Sequence, residues 1–179
     1  LLCAVVPSLN AVLYAVSPIR VLPGDKSPMP IKKLFSMKIF WIFVVLMICS
    51  GASEHAMSQW ASYFAEKGLQ ISKTTGDLLG PCLFAVLMGI SRAIYGAYSH
   101  NLPLKKFIVL SGAVSVISYL IAVFSPVPII SLLGCGLCGL SVGIMWPGVF
   151  SLSAESCPQG GAAMFAILAL AGDVGCATG

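Results

Sequence analysis

Ile39-Phe-Trp-Ile-Phe-Val-Val-Leu-Met-Ile-Cys-Ser50-Gly-Ala-Ser-Glu54-His55-Ala-Met-Ser58-Gln59-Trp60-Ala-Ser62-Tyr-Phe64 is the stretch that decides the reading. It is long and apolar enough to cross a bilayer, which takes about 20 residues. Yet a carboxylate, an imidazole and an amide lie inside it. Ionisable groups are expensive at that depth and normally face a bundle interior or a wet cavity, where they bind or relay something. Ser50, Glu54, Ser58 and Ser62 recur every four residues and form one slowly drifting polar stripe, with His55 and Gln59 beside it.

Working outward, the rest of the chain has the same character. It is 58% hydrophobic and 9% charged, whereas soluble domains carry about 25% charged residues. Mean hydropathy is +0.98. A soluble core cannot hide this much apolar surface, so an all-α membrane protein covered by lipid is expected. The net charge of +4 is spread over loops, with no basic stripe and interleaved aromatics of the kind that binds nucleic acid. Cys135-Gly-Leu-Cys138 has redox or metal spacing, but no second Cys or His pair accompanies it. It is read as small residues at a helix contact.

Spanning segments are predicted at about 39–64, 74–98, 105–124, 129–152 and 162–179. Residues 1–17 read as the tail of an earlier helix. The chain is therefore expected to be a fragment cut at both ends. Residues 18–38 read as an irregular loop, because Pro18, Pro23, Pro28 and Pro30 alternate with charge. Arg20, Lys26, Lys32, Lys33, Lys38, Lys105 and Lys106, with Arg92 nearby, fall on one side of the segments. Lys67 and Lys73 fall on the other. The positive-inside rule makes the first side cytoplasmic.

Glu54, His55, Ser58, Gln59, Trp60, Trp146 and Asp173 are the candidates for binding solute or protons. Asp173 is the second intramembrane acid, about 16 Å into the last segment at 1.5 Å per residue. An acid held away from water can load and release a proton. The indoles of Trp60 and Trp146 suit stacking on a solute ring. Trp146-Pro147 is expected to kink its helix, because proline removes an intrahelical bond. Gly139 and Gly143 form a small-x-x-x-small step for close helix approach. No nucleotide loop, HExxH or Ser-His-Asp order is present. No enzyme activity, cofactor or metal is expected, so solute movement would draw on an ion gradient.

With these residues in view, the chain resembles the second half of a major facilitator superfamily transporter. The resemblance implies a partial major facilitator fold: the end of helix 6, helices 7–10 and part of helix 11. The superfamily carries a G-x-x-x-D-R-x-G-R-R turn between helices 8 and 9. The corresponding stretch is Gly96-Ala-Tyr-Ser-His100-Asn101-Leu-Pro103-Leu-Lys105-Lys106. The glycine matches, a basic pair closes the stretch one position later than in the motif, and His100 and Asn101 replace the acid and arginine. Arg92, Gly96, His100, Lys105 and Lys106 are accordingly the candidate gating residues at the cytoplasmic end.

Two further stretches, Ser91-Arg92-Ala-Ile-Tyr-Gly96 and Gly143-Ile-Met-Trp146-Pro147-Gly-Val-Phe150-Ser151-Leu152, resemble the fucose permease group of sugar–proton symporters. Asp173 stands where that group tends to have a glycine run. The resemblance implies alternating access between two six-helix halves, with the N-terminal half missing here. The partners expected are a small polar solute, protons and the bilayer, and the absence of targeting features points to a bacterial inner membrane. Rival readings are an exporter of drugs or metabolites, which needs a more aromatic cavity, and a non-transporting sensor or scaffold.

Overall fold

A computed structural model describes residues 2–17, 29–98 and 103–179, and every regular element in them is helical. Helix α1 covers Leu2–Val16 and α2 Ile31–Ser36. Helix α3 covers Lys38–Tyr63 and continues through a π turn at Phe64–Gly68. The short α4, Lys73–Asp77, passes through a second π turn, Leu78–Cys82, into α5, Leu83–Tyr98. Then come α6, Leu104–Phe124, α7, Pro128–Ser156, and α8, Gly161–Thr178. Five of the resulting rods are long and apolar enough to cross a membrane: Lys38–Gly68, Lys73–Tyr98, Leu104–Phe124, Pro128–Ser156 and Gly161–Thr178.

Helix α7 is the axis of the bundle. In its apolar window 67% of residues are buried, against 22–28% in the other four rods. It packs on α3, α5 and α6, while α8 packs on α3. The seams follow from glycine placement. A Cβ built on Gly139 would lie 2.2 Å from the Phe84 carbonyl oxygen, and one on Gly143 would lie 2.9 Å from that of Met88. Glycines spaced by four thus admit the α5 backbone directly, as small-residue steps do between membrane helices. The pairings Phe84–Gly139 and Met88–Gly143 run in the same sense, so α5 and α7 are parallel. Gly134 against Ser118 and Ala122, with Gly148 against Ile108, makes α6 antiparallel to α7.

Two apolar clusters fill the bundle. One joins Phe40, Phe43, Met47, Val149, Met164 and Leu168 toward the start of α3. The other joins Met57, Ala61, Phe84, Cys135, Cys138, Val142 and Met145 toward its end. The two cysteines are free, each at most 1% exposed, and flanked by close-contact glycines.

The structure refines several boundaries. The stretch expected to be irregular contains α2, whose Leu34 is 1% exposed and inserts into the first cluster. The Met29 amide donates to the Gln159 carbonyl at 2.9 Å, tying this end of the linker to the α7–α8 turn. Helix α7 runs on to Ser156, past the expected end of its span at about 152; Cys157-Pro158 then ends it. At the other end of α3, Asp77 accepts a hydrogen bond from the Ser62 hydroxyl, closing the α3–α4 turn. The linker residues Arg20 and Lys26 and the turn holding His100 and Asn101 lie outside the described residues.

Candidate functional site

The site is built around one carbonyl. A proline at position 147 has no N–H to give the carbonyl four residues earlier, and its ring crowds that group. The carbonyl so freed is Gly143 O, in the middle of the bundle's most enclosed helix. Such a group needs a replacement partner inside a membrane protein. The replacement is Arg92, whose Nε donates to Gly143 O at 3.4 Å. The small-residue contact at Gly143 is what brings α5 close enough for this reach.

The other side of the same guanidinium faces α3. Arg92 Nη2 lies 3.4 Å from Glu54 Oε1 and 3.5 Å from Oε2, forming an ion pair with side chains 45% and 23% exposed respectively. Both contacts sit at the long end of the hydrogen-bond range. Arg92 therefore stands between two acceptors on two different helices, close to neither. One turn further along α5, the Tyr95 hydroxyl donates to Ser151 Oγ at 2.9 Å and reaches the Pro147 carbonyl at 3.5 Å. Ser91 donates to Leu140 O at 2.6 Å. Three successive polar side chains of α5 thus brace α7 around its proline.

Helix α8 approaches α3 backbone to backbone. A Cβ on Gly51 would fall 2.1 Å from Gly172 O, and one on Gly175 would fall 2.1 Å from Ile48 O. The Trp146 ring covers Gly172, since a Cβ there would lie 2.4 Å from the ring edge. His55, Gln59 and Trp60 of α3 line an open pocket of about 420 Å³ with Cys176, Ala177, Thr178 and Gly179.

The remaining candidates are placed as follows. Asp173 is exposed on α8, and Gln59 and Trp60 are exposed on α3. The Ser58 hydroxyl bonds the carbonyl of His55 within its own helix at 3.1 Å, and Ser62 is committed to Asp77. Ser50 is fully buried. Its hydroxyl and the Trp146 Nε1 are buried polar atoms with no hydrogen-bond partner among the described residues. Gly96 has open space where a side chain would go, and Lys105 and Lys106 are exposed at the start of α6. His100 lies outside the described residues. The four-residue stripe of α3 is thereby divided: Glu54 meets α5, Ser50 is buried unpartnered, and the last two serines serve local structure.

Two contributors escaped the sequence reading. Tyr119 of α6 donates to the Ser53 carbonyl at 2.8 Å, locking α6 to α3 beside Glu54. The Gly143 carbonyl is the second. The sequence did announce a freed bond at Pro147, but nothing in it named Arg92 as the donor. Among the described residues no group of His, Cys, Asp or Glu is arranged to hold a metal ion.

Neither a curated protein nor a solved structure matches the chain. A family model described as Major Facilitator Superfamily does match, over residues 1–179. Its members move small solutes across membranes and are transporters rather than enzymes. The match agrees with five membrane-length helices packed around a proline-containing axis. This chain therefore belongs to the Major Facilitator Superfamily of secondary transporters, as an integral multi-pass membrane protein.

Proposed function

We propose that the protein is a proton-coupled symporter of a sugar or a similar polar solute. It works by alternating access in a bacterial inner membrane, with an N-terminal six-helix half completing the cavity. The observation that carries this reading is the intramembrane Glu54–Arg92 ion pair, one helix turn from the pocket of His55, Gln59 and Trp60. A sugar presents hydroxyls at its edge and C–H groups on its face. An imidazole, an amide and an exposed indole supply complementary chemistry. Glu54 and Asp173 are the proton-carrying groups in this reading. Trp146, with an unspent indole N–H, is a further solute donor. The resemblance of residues 91–96 and 143–152 to the fucose permease group supports the solute class.

A second reading is export of an amphipathic compound. It is favoured by an apolar pocket of about 220 Å³ lined by Met57, Trp60, Phe64, Tyr119 and Val123. Solute-driven proton uptake into proteoliposomes, with a panel of monosaccharides, separates the two. A sugar should alkalinise the outside, and Glu54→Gln should abolish the signal. No response to any sugar from folded protein would sink the sugar reading. Flux that survives both Glu54→Gln and Asp173→Asn would sink the assignment of these acids.

A further inference from the structure

We propose that Arg92 is a positioning residue that ties the geometry of α7 at Pro147 to the charge on Glu54. It acts as the replacement donor for the carbonyl that Pro147 leaves free. The inference rests on the proton reading of Glu54 only for its role in transport; the coupling itself follows from the geometry.

A helix with an interior proline has one carbonyl without its backbone donor, and its bend depends on who supplies that bond. Here the supplier is a charged side chain on another helix, at 3.4 Å. The same guanidinium is drawn the other way by a carboxylate at 3.4 Å and 3.5 Å. With Glu54 ionised, Arg92 is shared and both contacts stay long. With Glu54 neutral, the carboxylate no longer competes, and the Nε–H closes on Gly143 O. The bond to the freed carbonyl then shortens and α7 settles into a different bend. The surroundings leave Arg92 as the charged group able to do this. Beside Glu54 stand His55 on its own helix and Tyr119 of α6, bonded to the neighbouring Ser53 carbonyl; α8 carries Cys176, which lines one pocket with His55, and the exposed Asp173. Among the described residues α7 presents no acid or base at this level, only its carbonyl. Tyr95 and Ser91 hold α7 above and below, so movement concentrates at residues 143–147.

The test uses the intact protein in lipid nanodiscs. A two-substitution cycle is made in the Glu54→Gln background, so that removing the arginine leaves no unpaired acid. Arg92→Met should shift the unfolding equilibrium by about threefold to tenfold while Pro147 is present. It should shift it by less than about twofold once Pro147→Ala restores the backbone donor. Equal costs in both backgrounds would overturn the proposal, because they would mean that Arg92 serves only as a packed side chain.

A second readout does not depend on that variant folding. Labelling with carbonyl-¹³C glycine and ¹⁵N isoleucine selects the Gly89–Ile90 and Gly143–Ile144 pairs of this sequence. Gly89 has open space around it, so Gly89→Ala removes the unwanted signal harmlessly. Glu54→Gln should move the Gly143 carbonyl resonance toward stronger hydrogen bonding, and Pro147→Ala should abolish that response. A resonance indifferent to Glu54→Gln would overturn the coupling. If the cycle and the resonance behave as expected while proteoliposomes show no proton uptake, the symport reading fails and this one stands.

Discussion

The two halves of α7 are held in opposite ways. From Pro128 to Gly143 the helix is sealed by backbone contact: Gly134 against α6, and Gly139 and Gly143 against α5. From Ile144 to Ser156 it contains Pro147 and is held by side chains, Arg92 and Tyr95 of α5 against Gly143 O, Pro147 O and Ser151. Backbone contact has no slack, since close-packed interiors are not continuously deformable. Side-chain hydrogen bonds can lengthen, exchange partners and re-form. One helix thus combines a fixed anchor with an adjustable segment, and the freed carbonyl stands where the two meet. For a fold that works by rocking rigid bundles, that places the compliance beside the intramembrane acid.

The comparison breaks most severely at Gly139. Gly139→Leu drives a side chain into the Phe84 backbone, and overpacking without room to relax costs about 3 kcal/mol. Thermal unfolding in detergent, with size-exclusion to detect aggregation, should show loss of the folded protein. Gly148→Ala is a milder intrusion in the adjustable half. The nearest neighbour there is the flexible Ile108 side chain at 3.2 Å. The expected cost is about 1 kcal/mol or less, read as a small drop in melting temperature with flux retained.

Tyr95→Phe sharpens the contrast further. It deletes one interhelical hydrogen bond in the adjustable half, and such bonds in membranes average about 0.6 kcal/mol. Stability should barely change. Transport should slow, because the brace beside Pro147 is gone; an unchanged turnover in proteoliposomes would show that this half is not the moving part. The smallest effect is expected at Gly96→Ala, where a Cβ meets nothing within 4 Å. A large loss of stability there would mean that the surroundings of α5 differ from those described.

Much of the fold was legible because membrane segments announce themselves by length and composition. The Gly139–Gly143 step was legible as a close contact, since only small residues permit it. The partner was not, and α5 supplies it. The site was less readable. A helix face can be read from spacing, but which neighbour it meets cannot. Glu54 and Arg92 are 38 positions apart and looked like separate features, one in the membrane and one near its edge. Ser58 and Ser62 looked like pore-lining groups, yet their hydroxyls bond within α3 and to Asp77.

The sequence by itself determined that this is a bundle of membrane helices with a polar stripe and a proline break, because hydropathy and backbone chemistry are local properties. It also carried the family. Only the tertiary structure decided that the carbonyl freed by Pro147 is met by Arg92, and that Arg92 is shared with Glu54. That outcome depends on the rotation and depth at which α3, α5 and α7 meet. Those are fixed by glycine contacts between helices, not by any residue's own preference.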